Sequence, residues 1–542
     1  MTSKPTVRVD HLSFRDSGQF SPRDVAYAEH DERLLAFAQA PPTLEAFAGA
    51  IEQRRAVDTD RELLVEVTRE QYKAYGVKPP KHLRRLTEPD AFTVVTAHQA
   101  SLFLGPLYYV YKILSAVKLA AQLNEAYPDT YIVPVFVLGA EDHDLDEIDH
   151  LTIEGRRITW DTEQTGSTGQ MTLTGIEAAV DEVAEALGDS LSAKQAVETL
   201  RKTYRPDRTL GEATAAYVAQ LFQAYGVVVV NLADARYKRA FAPMIEREVI
   251  GRVSRPLVEA TQAELEAAGF GAQAFAREIN FFYLQPGRRD RIERDLEGYR
   301  VVDTDVHFTE EAMRAEIAEH PERFSPNVVM RPLLQELCLP NLAYVGGGGE
   351  LAYWLERRSQ FEAFGLPFPI LVRRDSAWWI EQRLALRLQR YGIAPSELLG
   401  DTDALLRTYV KTHHDVDLDF APAVEQIEAV FADVSARAAS VDATLERRPL
   451  ATAAHARKRL RALETRLVRE LKKQKEREVS AIREVARALV PGGGLQERTE
   501  SFLPFYVRYG ARFFDALLEA FDPLRMELKV FTEAPPAVGD AP

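Results

Sequence analysis

The sequence predicts an α/β protein: a Rossmann-like, doubly wound parallel sheet with two insertions, followed by a C-terminal antiparallel α-helical coiled coil. Continuous apolar runs of strand length occur at 92–97, 131–139 and 226–234. Such unbroken runs indicate strands that are covered on both faces. A helical pattern separates the first two runs, and strand, helix, strand in this order forms a right-handed crossover. A heptad pattern beyond residue 420 predicts the coiled coil.

Composition is typical of a soluble globular protein. The 542 residues are 46% apolar and 27% charged, and the length allows two or three domains. The net charge of −15 argues against binding dominated by phosphate contacts, so we expect no nucleic-acid partner. With Cys338 as its one cysteine, the chain has no intramolecular disulfide and no cysteine-rich zinc site, so zinc is not expected. No apolar signal segment and no run of 18 apolar residues occur, so we expect a cytoplasmic protein without a membrane span.

Residues 1–390 are expected to form the catalytic core. The helix between its first two strands starts near Pro106, since proline suits the first helical position. Two later strands are predicted at 342–347 and 368–374, with one helix over 350–365 between them. In an open sheet of this class, ligands bind at the carboxyl ends of the strands.

Two segments interrupt this core. Residues 151–215 open with the alternating strand pattern LTIEGRRITW, which has a turn at 154–156. Residues 252–325 mix helical and short strand patterns. Both are interpreted as insertions into the core, the first at 151–215 and the second at 252–325.

Residues 391–490 are predicted to form a helical coiled-coil domain. Apolar residues of its first helix are spaced alternately three and four apart, as in a heptad seam: Val424, Ile427, Phe431, Val434, Ala438, Val441 and Leu445. A break at Arg448-Pro449 precedes a second, highly charged helix, so the two are expected to fold back as an antiparallel hairpin. A helical subdomain packed on the core is the alternative. Residues 491–542 are expected to pack back on the core.

The stretch VPVFVLGAEDHDLDEIDH (133–150) ends a strand in ionisable residues. Glu141, Asp142, His143 and Asp144 follow the strand at the edge where ligands bind. Such groups can orient an amine, hold magnesium on a nucleotide or act as a general base. We take all four as catalytic candidates, with a solvated turn as the alternative. They are too close in sequence to ligate one ion together, and no HExxH spacing occurs, so no metal ligands are assigned.

A second loop leaves the sheet at the same edge. His98 and Gln99 follow the first strand, and Lys112 lies about two turns into the next helix. Backbone N–H groups at the start of that helix can hold an anion. His98 is therefore a further catalytic candidate, with an ordinary loop histidine as the alternative, and Gln99 is expected to bind substrate.

A glycine-rich turn at 346–349 separates a strand from a helix. Glycine permits positive φ and close approach of the backbone to a ligand, so the turn favours a phosphate or another anion. The pattern matches neither GxGxxG nor the P-loop. A flexible turn is the alternative. The residues expected to bind substrate here are Gly347, Gly348, Gly349 and Glu350.

Four motifs together resemble one family, the bacillithiol-biosynthesis cysteine-adding enzymes, also called cysteine ligases. They are LFLGPLYYVYK (102–112), PVFVLGAEDHDLDEIDH (134–150), SPNVVMRPLLQELCLPNLAYVGGGGELAYW (325–354) and LQER (495–498). They span nearly the whole chain, and the third is long and specific. Two places depart from the family pattern. Ala97-His98-Gln99 stands where the family has Gly-Gln-Gln, and the turn reads Gly-Gly-Gly-Glu where the family has Gly-Pro-Gly-Glu.

The resemblance implies the joining of L-cysteine to glucosaminyl-malate, the last step of bacillithiol biosynthesis, on a nucleotidyl-transferase-like core. ATP is the expected activator, with Mg²⁺, and the coiled coil is expected to form a homodimer. Lys112 and Arg331 are the expected contacts for anionic groups. The substrate-binding residues expected in the third motif also include Asn327, Tyr353 and Trp354. The residues assigned to a second nucleotide pocket are Gln496, Arg498 and Tyr506.

Two alternatives stay open at this point. One is a coiled-coil scaffold with a vestigial nucleotide-binding fold, which the polar loops at the strand ends argue against. The other is a metal-dependent hydrolase that uses Asp142, His143 and Asp144. Cysteine-dependent turnover separates a ligase from the scaffold, and metal analysis of the purified protein tests the hydrolase.

Overall fold

The computed structural model describes residues 5–414 and 419–534, and the chain divides into two compact units. The Rossmann unit comprises Met1–Trp379 and Gln496–Pro542, and the helical unit comprises Ile380–Leu495. The sequence places the helical domain at 391–490, whereas the helical unit already includes the helix Gln382–Arg390.

The strands account for four sheets. In chain order they are β1 (Val7–Ser13), β2 (Ala91–Gln99), β3 (Tyr131–Gly139), β4 (His150–Ile153), β5 (Arg156–Thr159), β6 (Val228–Asn231), β7 (Phe281–Gln285), β8 (Arg288–Arg294), β9 (Tyr299–Val301), β10 (His307–Phe308), β11 (Phe324–Pro326), β12 (Asn341–Gly346), β13 (Ile370–Arg373), β14 (Ser376–Ile380) and β15 (Glu527–Glu533).

The α-helices of the Rossmann unit surround these sheets. They are α1 (Phe14–Ser17), α2 (Pro22–Ala28), α3 (Glu32–Leu35), α4 (Ala46–Arg55), α5 (Arg61–Tyr75), α6 (Leu107–Ala126), α7 (Leu145–Ile148), α8 (Ile176–Leu187), α9 (Leu191–Thr203), α10 (Leu210–Leu221), α11 (Ala235–Val249), α12 (Ser254–Ala267), α13 (Glu310–Glu319), α14 (Arg331–Cys338), α15 (Gly348–Trp354) and α16 (Arg358–Phe364).

The helical unit and the C-terminal return supply the remaining helices. They are α17 (Gln382–Arg390), α18 (Thr402–Thr412), α19 (Ala421–Val441), α20 (Arg447–Gln474), α21 (Glu476–Leu489), α22 (Leu503–Tyr509) and α23 (Ala511–Ala520). Among the helices of the described residues, none is both long and apolar enough to cross a membrane.

Five parallel strands form the central sheet, in the order β13-β12-β2-β3-β6. Counted along the chain and read from the other edge, this is the 3-2-1-4-5 order of a Rossmann fold. The chain moves outward from β2 to β6 and then crosses back to β12 on the other side of β2. The order therefore reverses between β2 and β12, where such sheets form their ligand crevice. The predicted doubly wound sheet is confirmed.

The register of β2 and β3 fixes where a site can form. Parallel pairing begins with Ala91 opposite Tyr131 and continues to Gln99 opposite Gly139. Both strands therefore end at the same level. The last residues of β2 stand beside the acidic segment that follows β3.

Both faces of the central sheet are buried. Along β3, Phe136 and Leu138 join one core cluster, and Val133, Val135 and Val137 join another. All five are at most 2% exposed. Because successive side chains of a strand point to opposite faces, a strand covered on both sides must be apolar at every position. This explains the unbroken apolar run in the sequence.

The two insertions meet beside the sheet. The first opens with the antiparallel hairpin β4–β5, whose predicted turn is confirmed. The second carries an antiparallel sheet in the order β10-β9-β8-β7-β11. Thr165 Oγ1 donates to Gly287 O at 2.9 Å, and a Cβ on Gly166 would lie 2.7 Å from Gly287 C. Glycine at position 166 therefore lets the first insertion touch the β7–β8 turn of the second.

One predicted helix is two helices. The pattern over 350–365 predicts a single helix, but α15 ends at Trp354 and α16 begins at Arg358. Between them, the Glu356 carboxylate accepts a hydrogen bond from the backbone N–H of Gln273 at 2.6 Å. The second insertion thus contacts the residues that connect the two helices. A contact of this kind leaves no periodic signal in the sequence.

The helical unit contains the predicted antiparallel hairpin, built from α19 and α20. Arg457 Nη1 bonds Glu428 Oε1 at 2.8 Å, and Ser435 Oγ bonds Glu446 O at 2.7 Å. From Glu428 to Ser435 the chain moves forward along α19, while their partners move backward from Arg457 to Glu446. The two helices therefore run in opposite directions. Since α20 begins at Arg447, the break lies just before the predicted Arg448-Pro449.

The seam of this hairpin differs from the predicted heptad. Val434 and Val441 are 42% and 82% exposed, whereas Val424 and Ser435 are buried. Val424 and Ser435 are eleven residues apart, which corresponds to three turns of a nearly straight helix. The buried position near the middle of α19 is therefore Ser435 and not Val434, one residue later than the 3-4 spacing predicts. The predicted core role of Val434 and Val441 is wrong.

A carboxyl group is buried near the start of β12. Glu336 of α14 is fully buried, and its Oε1 accepts from Gln335 Nε2 at 2.9 Å and from Asn341 Nδ2 at 2.8 Å. Burial raises the pKa of Glu336 to about 7, although the charge of Arg54 acts in the opposite direction. The folded protein therefore keeps a proton that the unfolded chain releases at lower pH.

We expect this carboxyl group to make the free energy of unfolding fall as pH rises between about 4.5 and 7. In this window the folded state binds more protons than the unfolded state, which gives that sign. At about 1.4 kcal/mol per pKa unit, the total loss is about 3 kcal/mol. Glu336→Gln keeps an oxygen for both hydrogen bonds and should remove this slope, as measured by urea unfolding across the window.

Glu66→Gln is the matched control, because Glu66 is exposed on α5. It should leave the pH dependence of wild-type unfolding unchanged. Parallel pH profiles for wild type and Glu336→Gln would contradict the assignment.

Candidate active site

A cavity of about 430 Å³ lies at the carboxyl ends of the parallel strands. Residues at the ends of β2, β3 and β6 form part of its wall, and residues of α6, α7, α14, α15 and β8 and at the end of β11 form the rest. This is the edge at which the strand order reverses, where a ligand crevice is expected. The polar residues that line it are His98, Gln99, Tyr108, Glu141, Asp142, Glu147, Arg289, Asn327, Arg331, Glu350 and Tyr353.

Glu141 is paired with a buried lysine. Lys238 of α11 is fully buried and donates to Glu141 Oε2 at 2.7 Å and to Phe324 O at 2.7 Å. Ser325 Oγ donates to the same carboxylate oxygen at 3.1 Å. Burial lowers the pKa of Lys238, and the charge of Glu141 counteracts that shift. Glu141 is thus anchored to α11 and β11 at the wall of the cavity.

Asp142 presents its carboxylate to the cavity. Gln99 Nε2 donates to Asp142 Oδ2 at 3.1 Å, and Arg289 Nη1 lies 4.0 Å from Oδ1. Thr168 of the first insertion braces the backbone, since its N and Oγ1 donate to Asp142 O at 2.7 and 2.9 Å. The carboxylate is therefore held in place while it stays accessible to a ligand.

His143 and Asp144 lie beside the cavity and are not among the residues of its wall. Arg289 Nη1 donates to His143 Nδ1 at 2.7 Å, and His143 Nε2 is 4.0 Å from Asp144 Oδ1. The catalytic roles of His143 and Asp144 stay predictions. Within the described ranges, no three His, Cys, Asp or Glu side chains are grouped as a metal site requires.

His98 lines the cavity as a neutral imidazole. Burial, and next the positive charge of Lys112, lowers the pKa of His98 to about 3. Its Nδ1 is 3.3 Å from Gln99 O, and its Nε2 is 3.2 Å from the Tyr108 hydroxyl. A group with this pKa carries no extra proton near neutral pH, which argues against a general-acid role for His98 there.

Lys112, which is buried, and Glu350, which is partly exposed to the cavity, form an ion pair where the strand order reverses. Lys112 Nζ donates to both Glu350 oxygens, at 2.7 and 2.8 Å, and to Ala97 O. Tyr344 OH and Gly347 N also donate to Glu350, at 2.6 and 2.8 Å. Burial opposes ionisation of Glu350, but the Lys112 charge and these hydrogen bonds hold its pKa at about 2. The prediction of Lys112 as an anion contact is corrected, because its ammonium is used inside the fold.

Arg331 begins α14 and faces the cavity. Its Nη2 donates to Tyr353 OH at 2.9 Å, and its Nη1 is 3.4 Å from Gln335 Oε1. Both partners are neutral acceptors. Asn327 stands just before the helix, and its Oδ1 accepts from Val329 N at 2.8 Å. The third motif thus brings Asn327, Arg331 and Tyr353 to one wall.

The glycine turn has an ordinary backbone and does not line the cavity. Gly347 has φ −75°, and Gly348 and Gly349 are the first residues of α15, so the expected positive φ is wrong for all three. Close packing explains one of these glycines. A Cβ on Gly348 would lie 2.2 Å from Asp24 Oδ1, and the same oxygen accepts from Arg373 Nε at 2.8 Å. The substrate contacts of the three glycines stay predictions.

Trp354 is a core residue, so its predicted substrate contact is wrong. It is fully buried, and its ring lies 4.5 Å from the Tyr344 ring and 5.7 Å from the Phe361 ring. Tyr353 and Trp354 are neighbours on α15. Successive residues of a helix with 3.6 residues per turn point about 100° apart, so only Tyr353 turns towards the cavity.

The residues assigned to a second nucleotide pocket have different environments. Gln496 is buried, and its Oε1 accepts from Trp379 N at 3.3 Å. Arg498 is exposed, and Tyr506 stacks on Phe514 with ring centroids 5.4 Å apart. The second pocket stays a prediction.

Sequence reasoning missed four residues of the site: Tyr108, Glu147, Lys238 and Arg289. Tyr108 and Glu147 lie inside quoted motifs, so position in the motif could have identified them. Lys238 and Arg289 stand on α11 and β8, about 100 and 150 residues beyond the acidic segment. Single-sequence patterns contain no signal that pairs them with Glu141 and Asp142.

These features define a Rossmann-fold protein with a polar strand-end cavity, buried ion pairs around it and a C-terminal coiled coil. Two family models match the chain. They are "Bacillithiol biosynthesis BshC, N-terminal Rossmann-like domain" over residues 7–375 and "Bacillithiol biosynthesis BshC, C-terminal coiled-coil domain" over 377–533. The chain therefore belongs to the BshC family of bacillithiol biosynthesis, and the resemblance seen in its motifs is confirmed.

Similar proteins named "Putative cysteine ligase BshC" match over nearly their whole length. The one from Christiangramia forsetii is 34% identical over 530 residues, which cover 96% of this chain and 98% of that protein. The one from Cytophaga hutchinsonii is 34% identical over 524 residues, with the same coverage. The one from Salinibacter ruber is 32% identical over 518 residues, with 92% of each chain covered.

Gly348→Ala is expected to destabilise the Rossmann unit. The new Cβ would overlap Asp24 Oδ1 and displace the carboxylate from Arg373, which is 2% exposed. Breaking a buried ion pair costs about 3–5 kcal/mol. The midpoint of thermal unfolding, measured by circular dichroism, should therefore fall.

Gly349→Ala is the matched control at the next position. A Cβ there meets nothing within 4 Å, and alanine is favoured over glycine in a helix by about 1 kcal/mol. Its unfolding temperature should equal or exceed that of wild type. Equal losses in both variants would show that the Asp24 contact is not the reason for glycine at 348.

Proposed function

We propose that the protein is a ligase that joins L-cysteine to glucosaminyl-malate and so completes bacillithiol. Membership of the BshC family supports the pathway, and the names of the similar proteins support a cysteine ligase. The bond formed is an amide between the cysteine carboxyl and the amine of the sugar. Amide formation from a free carboxylate in water is uphill, so ATP, with Mg²⁺ on its phosphates, is the proposed source of activation.

The main support for this proposal is the way in which charged side chains are paired around the cavity. Each of three carboxylates faces a buried cation. The pairs are Glu141 with Lys238 at 2.7 Å, Glu350 with Lys112 at 2.7 Å and Asp142 with Arg289 at 4.0 Å. Arg331 differs, because its hydrogen bonds go to the neutral groups of Tyr353 and Gln335. Its charge is therefore suited to a carboxylate of the malate group.

The amine of the acceptor is proposed to bind at Asp142. Gln99 fixes one oxygen of this carboxylate, and a carboxylate so held can orient an amine for attack on an activated carboxyl group. Glu147 adds negative charge at the same wall. Arg331 as the contact for an anion and Asp142 as the contact for an amine fit glucosaminyl-malate, which carries both a carboxylate and an amine.

Arg331→Met tests the anion contact. We expect the KM for glucosaminyl-malate to rise about 10–100-fold, the range of a charge-assisted hydrogen bond worth about 1.5–3 kcal/mol. The kcat should change less. Initial rates are measured with cysteine, ATP and glucosaminyl-malate, with mass-spectrometric detection of the thiol product.

Arg294→Met is the matched control, because Arg294 is exposed on β8 of the second insertion. It should leave the KM unchanged, and Arg331→Lys should fall between wild type and Arg331→Met. An unchanged KM in Arg331→Met would remove the anion contact. Nucleotide binding by the wild type without cysteine-dependent turnover would favour the scaffold.

A homodimer through the helical unit is part of the same proposal. Val430, Val434 and Val441 are 61%, 42% and 82% exposed on α19. Their spacings of four and seven residues place them on one stripe of that helix. An apolar stripe of this kind is typical of a helix that pairs with another chain.

Val430→Glu combined with Val434→Glu should convert the proposed dimer into a monomer, because charged side chains would then face each other across the pairing stripe. Light scattering at micromolar concentration measures the mass. Ala436→Glu, exposed on the other side of α19, is the control and should stay dimeric. A monomeric wild type, or a double variant with unchanged mass, would overturn the interface.

A further inference from the structure

Arg289 reaches the acidic segment from the second insertion and is fixed on several sides. Its side chain is 4% exposed, and its guanidinium lies 3.9 Å from the centroid of the Phe282 ring. Its Nε donates to Ser325 Oγ at 3.0 Å, and its Nη2 donates to Pro326 O at 3.1 Å. The third nitrogen, Nη1, is thereby aimed at His143 Nδ1 at 2.7 Å.

This contact decides where the proton of neutral His143 resides. A guanidinium has only donors, so His143 Nδ1 must accept, and the ring proton belongs on Nε2. His98 shows the opposite arrangement. Its Nδ1 faces the carbonyl oxygen of Gln99, which can only accept, so Nδ1 carries the proton and Nε2 accepts from Tyr108 OH. Two histidines at one sheet edge are thus held in opposite neutral forms.

We propose that Arg289 is a positioning residue that fixes His143 with its proton on Nε2, so that His143, which lies beside the cavity next to Asp142 of its wall, donates a hydrogen bond to an anionic oxygen of a ligand that extends past Asp142. The nature of that oxygen, a carboxylate or a phosphate, rests on the proposed ligase function. The donor is available, because Nε2 is 4.0 Å from Asp144 Oδ1, longer than a hydrogen bond, and the ring is 42% exposed. With Nδ1 occupied by Arg289, His143 does not take a proton from the amine.

The form of His143 is measured directly by nitrogen-15 NMR of the full-length protein. Multiple-bond proton–nitrogen spectra distinguish a protonated from an unprotonated ring nitrogen, and His143→Gln identifies the signal among the 11 histidines. We expect a proton on Nε2 in the wild type. Arg289→Met should give a mixture of the two neutral forms, because the donor to Nδ1 is gone.

Two variants control for the fold in this experiment. Arg288→Met changes the neighbouring arginine, which pairs with Asp290, and should leave His143 as in the wild type. Arg289→Lys keeps a donor and should keep a larger share of the Nε2 form than Arg289→Met. A proton on Nδ1 in the wild type, or an unchanged form in a folded Arg289→Met, would overturn the proposal.

Turnover supplies a second test through the choice of side chain at 143. The Gln amide nitrogen occupies the place of His Nε2, whereas the Asn amide nitrogen occupies the place of Nδ1. His143→Gln should therefore keep a rate within about 10-fold of wild type, while His143→Asn and His143→Ala should lose about 10²-fold or more, as for other lost donors to developing charge.

The two tests fail in different ways. Equal and large losses for Gln, Asn and Ala would show that His143 acts as a base and would overturn the donor role, as would wild-type rates in all three. If the wild type makes no thiol product, the ligase function fails, yet the NMR measurement still decides whether Arg289 sets the form of His143.

Discussion

The ion pair between Lys112 and Glu350 is the constraint on which the site depends. It lies where the strand order reverses, and its hydrogen bonds reach the end of β2 at Ala97 and the turn after β12 at Gly347. The Lys112 side chain is 2% exposed, and an unpaired charge that is buried in this way costs several kcal/mol, so Glu350 cannot be removed without leaving Lys112 uncompensated. The pair therefore fixes the distance between the two central strands at the edge where the cavity forms.

Ion pairs also hold other residues near the carboxyl edge of the central sheet. Lys238 neutralises Glu141, and Arg373 neutralises Asp24 against the glycine turn. Arg374 bonds Glu497 at 2.7 Å, and its guanidinium lies 5.3 Å from the Tyr108 ring in the cavity wall. The buried pair of Arg374 and Glu497 gives the LQER motif a structural role, because it anchors the C-terminal return beneath the site.

Much of the fold follows from patterns that act over short distances in the chain. The apolar run at 131–139 and the observed strand β3 coincide, because a strand buried on both faces has to be apolar throughout. The position of the acidic segment is equally local, since it follows directly from the end of β3. The prediction that Val434 is buried was wrong for a reason that the sequence does not reveal. Over three turns, a 3.5-residue repeat and a 3.67-residue repeat differ by only about half a residue, so the apolar pattern alone does not decide between Val434 and Ser435 as the buried position.

What the sequence could not supply are the partners that meet only in three dimensions. Arg289 and Lys238 come from distant elements, and nothing in their local patterns indicates a carboxylate. Lys112 has the residue type and the helix position expected of an anion contact, yet its ammonium is already paired with Glu350. The glycine at 348 suggests a ligand-binding turn by its local pattern, whereas Asp24, more than 300 residues earlier, explains it.

We claim above all that Arg331 is the anion contact of a cavity in which Glu141, Asp142 and Glu350 each already face a cation of the protein. A crystal structure with glucosaminyl-malate bound tests it most directly. We predict a substrate carboxylate within hydrogen-bond distance of the Arg331 guanidinium, with Lys112 still paired with Glu350 and Lys238 still paired with Glu141. A substrate carboxylate on Lys112 or Lys238, with the corresponding pair broken, would contradict it.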